Sequence, residues 1–137
     1  PYHMLTIAGA IANEGAVKLP FVVKSIASPS GRKISETVAE EVVYITPETA
    51  EELKKMMRKT VKENYGDWNF GEIKMCGKTG TAEVSETEKP HSWFLGFCED
   101  QKNPFAVVVV VENGGWGSST ALPIASKVIN EAVKTIS

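Results

Sequence analysis

Residues 91–112 read His91-Ser92-Trp93-Phe94-Leu95-Gly96-Phe97-Cys98-Glu99-Asp100-Gln101-Lys102-Asn103-Pro104-Phe105-Ala106-Val107-Val108-Val109-Val110-Val111-Glu112, and this stretch decides the fold. Its first eight residues are rich in aromatic side chains that fit a pleated, half-buried surface. Residues 100–104 supply Asp, Asn and Pro, the residues of a turn. The run of five valines from Val107 to Val111 is read as a strand buried on both faces. Upstream, residues 74–84 form a third strand candidate, interrupted by Gly77 and Gly80. Two successive hairpins give a small antiparallel sheet.

The flanks of this sheet are helical. After a Gly/Ser loop over residues 113–120, Leu122, Ala125, Val128, Ile129, Ala132, Val133 and Ile136 trace one face of a closing helix that begins at Pro123. On the other side, Thr46-Pro47-Glu48 combines a hydroxyl N-cap, a proline at the first helical position and acidic residues near the positive end of the helix dipole. Ala50, Leu53, Met57 and Val61 then mark an amphipathic helix that stops near Tyr65-Gly66, followed by a loop over residues 67–72. Residues 17–27 hold two apolar clusters around Pro20, Ser28-Pro29-Ser30-Gly31 is a turn, and residues 33–44 resume a partly alternating pattern, so the stretch reads as a hairpin-like connector. Residues 4–13 are apolar on nearly every face and stop at Asn13-Glu14-Gly15, where Asn and Gly favour a left-handed cap. The fold class is α+β, with helices at both ends of a small antiparallel sheet.

Composition removes several functions. The 137 residues carry 15 basic and 17 acidic side chains, a net charge of −2 and no basic stripe, which excludes nucleic acid as an expected partner. The apolar run from Phe105 to Val111 is far shorter than the roughly 20 residues of a membrane span. Two cysteines outside a CxxC make neither a zinc ribbon nor a disulfide framework. His3 and His91 lack a ligand-spaced partner, so no metal or other cofactor is expected.

The chemistry concentrates in Gly77-Lys78-Thr79-Gly80-Thr81-Ala82-Glu83. Two glycines inside a strand weaken it and mark the close approach of a ligand or another backbone. The segment is not a phosphate-binding P-loop, because the required first glycine falls on Glu72 and no helix follows Thr79. It does contain K-T-G, an element of the penicillin-recognising serine acyltransferases.

Around that element the chain resembles the transpeptidase domain of monofunctional, high-molecular-weight penicillin-binding proteins. The resemblance rests on Ala10-Ile11-Ala12-Asn13-Glu14-Gly15 with Leu19-Pro20, on GKTGTAE at 77–83, on Ser92-Trp93-Phe94-Leu95-Gly96-Phe97, on VVVVVEN at 107–113 and on Leu122-Pro123-Ile124-Ala125. These occur in the family's order and cover essentially the whole chain. The resemblance implies a D,D-transpeptidase that cross-links peptidoglycan stem peptides ending in D-Ala-D-Ala and that captures β-lactams. It implies that Lys78 serves catalysis and that Thr79, Gly80 and Thr81 bind substrate. In that scheme the two hydroxyls hold the substrate carboxylate, the small Gly80 lets the strand lie against the ligand, and the Thr81 N–H supplies an oxyanion donor. It also implies an extracytoplasmic location on the bacterial membrane, through an N-terminal anchor outside this chain.

The rest of the catalytic set is not found in these residues. The family needs a Ser with a Lys one helical turn later and an S-x-N element. Ser30-Gly31-Arg32-Lys33 spells S-x-x-K, but Pro29 and Gly31 make it a turn, 45 residues (78 minus 33) before the K-T-G lysine. No S-x-N occurs. The expectation is therefore that residues 1–137 are the C-terminal part of a transpeptidase domain, inactive alone, whose nucleophile-bearing N-terminal part is a required partner. Alternatives are a β-lactam sensor module on the same fold or a catalytically inert fragment. One departure stands out: the family's glycine-rich V-x-x-G-T-G-like element is replaced by residues 61–70, VKENYGDWNF, so the resemblance does not define the cleft there.

Plainer readings accompany each residue. Lys78 could be a solvated strand-edge lysine, Thr79 and Thr81 ordinary strand residues, and Glu83 a solvated charge. Trp93, Phe94 and Phe97 are read as core rather than as a ligand stack. No role is assigned to Trp68 or Trp116. A hairpin register in which paired numbers sum to about 174 would set Cys76 opposite Cys98, making a disulfide conceivable, although free thiols are the preferred reading.

Overall fold

The computed structural model describes residues 1–100 and 102–136, without the side chain of Ile136. Its elements in chain order are α1 (Tyr2–Ala12), β1 (Ala16–Lys18), β2 (Ser25–Ala27), β3 (Lys33–Glu36), β4 (Glu41–Val43), α2 (Pro47–Thr60), β5 (Met75–Ala82), β6 (His91–Cys98), β7 (Ala106–Val111) and α3 (Ala121–Ile136). The expected antiparallel sheet is present in the order β5-β6-β7. The connector of residues 17–44 is a nested pair of hairpins, β1 against β4 and β2 against β3.

Side-chain alternation sends the sheet's two faces into two cores. Met75, Phe94, Cys98 and Val107 pack with Val61, Phe70 and Ile73 against Ala121, Leu122, Ala125 and Ile129 of α3. On the opposite face, Cys76 and Phe97 pack against Ala8 and Ile11 of α1 and Met57 of α2. Phe94 and Phe97 are core residues, as read from the sequence, whereas Trp93 is only half-buried. Phe70 stacks on Phe94 with ring centroids 6.0 Å apart. Two tight approaches explain the glycines of this hairpin: a Cβ at Gly77 would lie 2.6 Å from Phe94 Cζ, and one at Gly96 would lie 2.6 Å from the Cys76 carbonyl.

Several local expectations need adjustment. The valine strand is the outer strand on one side, and of its valines only Val107 is fully buried. Lacking a second neighbouring strand, β7 keeps one flank open, so its other valines are half-buried. Register sums are 173, which sets Met75 opposite Cys98 and Cys76 opposite Phe97. The two cysteines therefore face opposite sides of the sheet and are free thiols. α3 begins two residues before Pro123, at Ala121, and Val128 points away from the core, 50% exposed. The Ile136 side chain of its apolar stripe is not described, and Gln101 within the 100–104 turn lies outside the described residues.

The stop after α1 uses Glu14 (φ 53°) and Gly15 (φ 92°) in the left-handed region, while Asn13 stays at φ −116°. α1 buries Thr6, Ala8, Ala10 and Ile11 and leaves Tyr2 and Leu5 outward, so it is one-sided here despite its apolar composition. The Thr46 cap is as expected, its hydroxyl accepting the Thr49 N–H at 3.3 Å. α2 passes into a π turn, Val61–Tyr65, and stops at Gly66 (φ 85°) as expected, whereas Asp67–Phe70, expected as loop, forms a 3-10 turn. No helix among the described residues is long and apolar enough to cross a membrane.

Candidate active-site strand

β5 is the strand on the other side of the sheet, so its outer edge carries backbone groups that β6 does not use. In an antiparallel edge strand the N–H and C=O of alternate residues point outward. Thr79 is one such residue: its N–H leaves the ladder to donate to Tyr65 Oη at 3.1 Å, and its C=O accepts from Lys78 Nζ at 2.9 Å. By the two-residue repeat, the Thr81 N–H has the same outward sense. Lys78 itself is exposed and curls its ammonium around the strand to that edge.

Thr79 and Thr81 share the sheet face that carries Phe94 and Ser92. The loop after β7 closes over this face. Gly117 donates its N–H to Thr81 Oγ1 at 3.4 Å, and a Cβ at Gly117 would lie 2.6 Å from the Gly80 carbonyl and 2.7 Å from that of Trp93. Only glycine fits there. At Gly80 a Cβ would sit 3.3 Å from Trp93 Cβ, tight contact with the neighbouring strand.

The loop is pinned at several points. The Asn113 N–H donates to His91 Nδ1 at 3.0 Å, the Gly115 N–H to the Pro90 carbonyl at 2.9 Å, and the Thr120 hydroxyl to the Gly114 carbonyl at 2.8 Å. Buried Ser92 donates to the Trp116 carbonyl and accepts the first N–H of α3, from Ala121, at 3.0 Å. This is a helix cap supplied from a strand 29 residues away, a role invisible to a local capping pattern.

A second set of contacts holds the segment beside the strand. Arg58 donates from Nη1 to Asp67 Oδ1 and from Nη2 to Asp67 Oδ2, and reaches the Met75 carbonyl at 3.2 Å. The hydrogen-bonded Arg58 guanidinium holds the Asp67 carboxyl below the usual carboxylate range. Burial pushes Cys76 up to about 12 and also raises Cys98, which disfavours the thiolate form of both.

Lys78, Thr79, Gly80 and Thr81 thus come together along the outer edge strand, with Tyr65 on the Thr79 N–H and hydroxyl, Lys78 Nζ on the Thr79 carbonyl and the Gly117 N–H on the Thr81 hydroxyl. Ser30 and Lys33 do not join them. Ser30 lies in the β2–β3 turn beside Ser28, Gly31 has φ 83°, and Lys33 pairs with Glu36 at 2.6 Å. A hollow of about 320 Å³, lined in part by Gly9, Lys54, Cys98 and Phe105, lies toward the opposite end of the sheet. Sequence reading missed Tyr65, Ser92 and Gly117. Of these, Tyr65 had a signal, since it falls in the segment where the family pattern breaks.

A family model described as the penicillin-binding protein transpeptidase domain matches residues 1–130. The chain belongs to this transpeptidase family. Among curated relatives, the peptidoglycan D,D-transpeptidase PbpA of Mycobacterium tuberculosis is 32% identical over 98% of this chain and 29% of its own length. The PbpA of Mycolicibacterium smegmatis is 30% identical over the same shares. Among solved structures, penicillin-binding protein A of M. tuberculosis as a ceftriaxone acyl-enzyme superposes with a TM-score of 0.82 at 32% identity, over 94% of this chain and 31% of that one. The chain therefore spans less than a third of the length of these transpeptidase relatives. Its fold is that of the corresponding part of the transpeptidase domain.

Proposed function

We propose that this chain is the C-terminal part of the transpeptidase domain of a peptidoglycan D,D-transpeptidase and supplies its K-T-G substrate-binding strand. The observation that carries the reading is the outer edge of β5, where Lys78, Thr79 and Thr81 present an ammonium, two hydroxyls and outward backbone groups. In the reaction, a serine hydroxyl attacks the carbonyl of the D-Ala-D-Ala peptide bond and its proton leaves on the departing D-Ala amine. An amine of a second stem peptide then attacks the acyl-serine, forming the cross-link and returning the proton to the serine. The serine belongs to the N-terminal part of the domain, which is this chain's first partner.

Each residue has a role that suits its position. Lys78 draws the substrate's terminal carboxylate by charge and supports proton movement. The Thr79 and Thr81 hydroxyls donate to that carboxylate, while Gly80 keeps the strand flat against the ligand. The Thr81 N–H faces the forming oxyanion. β-Lactams enter by the same contacts, and the similar penicillin-binding protein A forms a ceftriaxone acyl-enzyme. The work takes place on the outer face of the cell membrane, where peptidoglycan is.

Incubation with a fluorescent penicillin tests this. The full-length parent is expected to become covalently labelled and residues 1–137 alone are not. An unlabelled parent would overturn the transpeptidase reading, and a labelled 137-residue chain would overturn the placing of the nucleophile outside it.

A further inference from the structure

Residues 61–70 carry no role from the family pattern, yet they are built as a rigid piece. The π turn Val61–Tyr65 swings the Tyr65 ring toward the open edge of β5, and such turns recur at functional sites. Asn69 donates to the Tyr65 carbonyl at 2.7 Å, and the Asn69 carbonyl in turn accepts from Ser126 Oγ and, at 3.1 Å, from Asn130 Nδ2 of α3. Arg58 fixes Asp67 from the other side. Tyr65 is thus held from behind, with its hydroxyl placed against a single residue, Thr79.

Hydrogen-bond accounting gives that contact a direction. A backbone amide only donates, so Tyr65 Oη accepts the Thr79 N–H at 3.1 Å. The phenol has one proton left to give, and Thr79 Oγ1 lies 2.8 Å away. If Tyr65 donates, the Thr79 hydroxyl keeps its own proton for a ligand. If Thr79 donated instead, it would offer a carboxylate only lone pairs. A bound carboxylate therefore selects the first arrangement, and the chain phenol to Thr79 hydroxyl to carboxylate polarises in one sense.

We propose that Tyr65 is a positioning residue that locks Thr79 and turns its hydroxyl proton toward the terminal carboxylate of the substrate. This rests on the reading of β5 as the substrate-binding strand. Tyr65 acts through Thr79 and does not touch the reacting atoms.

The test uses the full-length parent and two ligands, benzylpenicillin and its methyl ester, which lacks the negative charge. Tyr65→Phe keeps the ring and removes only the hydroxyl. It is expected to lower the acid-over-ester preference in second-order acylation about ten-fold, the size of one charge-assisted hydrogen bond misaligned. The loss should lie in the pre-covalent dissociation constant, with the acylation rate constant held. In a Thr79→Ala background the same change should have almost no further effect. Pseudo-first-order rates are read only on molecules that react, so a partly misfolded preparation leaves the comparison intact. An unchanged preference, an equal loss on acid and ester, or full additivity with Thr79→Ala would overturn the proposal. A wild-type parent that benzylpenicillin never acylates would instead overturn the transpeptidase reading beneath it, and that result is seen before any variant is compared.

Discussion

Arg58 holds Asp67 through two parallel hydrogen bonds, Nη1 to Oδ1 at 2.7 Å and Nη2 to Oδ2 at 2.6 Å, and so ties the end of α2 to the turn that precedes β5. Arg58 is mostly buried, and Glu99 lies 3.6 Å from its Nε. Asp67 is 44% exposed, so solvent screens the pair, and Asp67→Asn should cost about 1 kcal/mol. The sign with pH is fixed by the depressed carboxyl. The contribution is present above the carboxyl's ordinary titration and is lost as pH falls through its lower folded value. Thermal melting of the parent from pH 6 down to pH 2 should therefore show the wild-type and Asp67→Asn proteins converging at the acid end. Parallel curves would contradict this.

Gly77 faces Phe94 across the β5–β6 pair with no room for a methyl group. Gly77→Ala should destabilise the parent by about 1–3 kcal/mol, because the Phe94 ring must move against Phe70. Phe94→Leu shortens the ring side, so the double variant should lose less than the sum of the singles in chemical denaturation. Simple additivity would show that the two do not meet.

Ser92 accepts the Ala121 N–H while donating to Trp116, joining β6 to the start of α3. Ser92→Ala orphans a buried helix-terminal N–H and should cost about 1–2 kcal/mol by denaturant unfolding. It should also loosen the loop that carries Gly117, read as faster amide exchange over residues 113–120. Unchanged exchange there would remove Ser92 from loop anchoring.

The thiols give a redox-independent prediction. Cys76 and Cys98 point to opposite faces of the sheet, so no reductant is needed to expose them. Denaturation without reductant should yield two alkylated cysteines, while native protein at pH 8 should react slowly, with Cys76 raised to about 12 by burial. A mass two units below the reduced chain, with no adducts, would contradict the register.

Much of this was legible in the residues because local signals agreed with the tertiary answer. Thr46-Pro47 announced α2, aromatic and β-branched runs announced β6 and β7, and residues 74–84 announced β5. What escaped depended on distant partners. The register was misjudged by one residue because the 83–90 loop, unlike a two-residue turn, does not fix its own alignment. The placement of Val107 to Val111 on an outer strand follows from sheet order, which five identical residues do not encode. Tyr65 and Ser92 act across 14 and 29 residues, beyond any capping or periodicity rule.

The substrate-binding role of β5 depends above all on Lys78. Lys78→Ala in the full-length parent, followed by rapid-quench acylation with a fluorescent penicillin, should lower the acylation rate about 100-fold, the effect of removing one electrostatic partner from an acyl-transfer site. Because Lys78 is exposed, the melting temperature should stay where it is. An acylation rate equal to wild type in the folded variant would contradict the assignment of β5 as the substrate-binding strand.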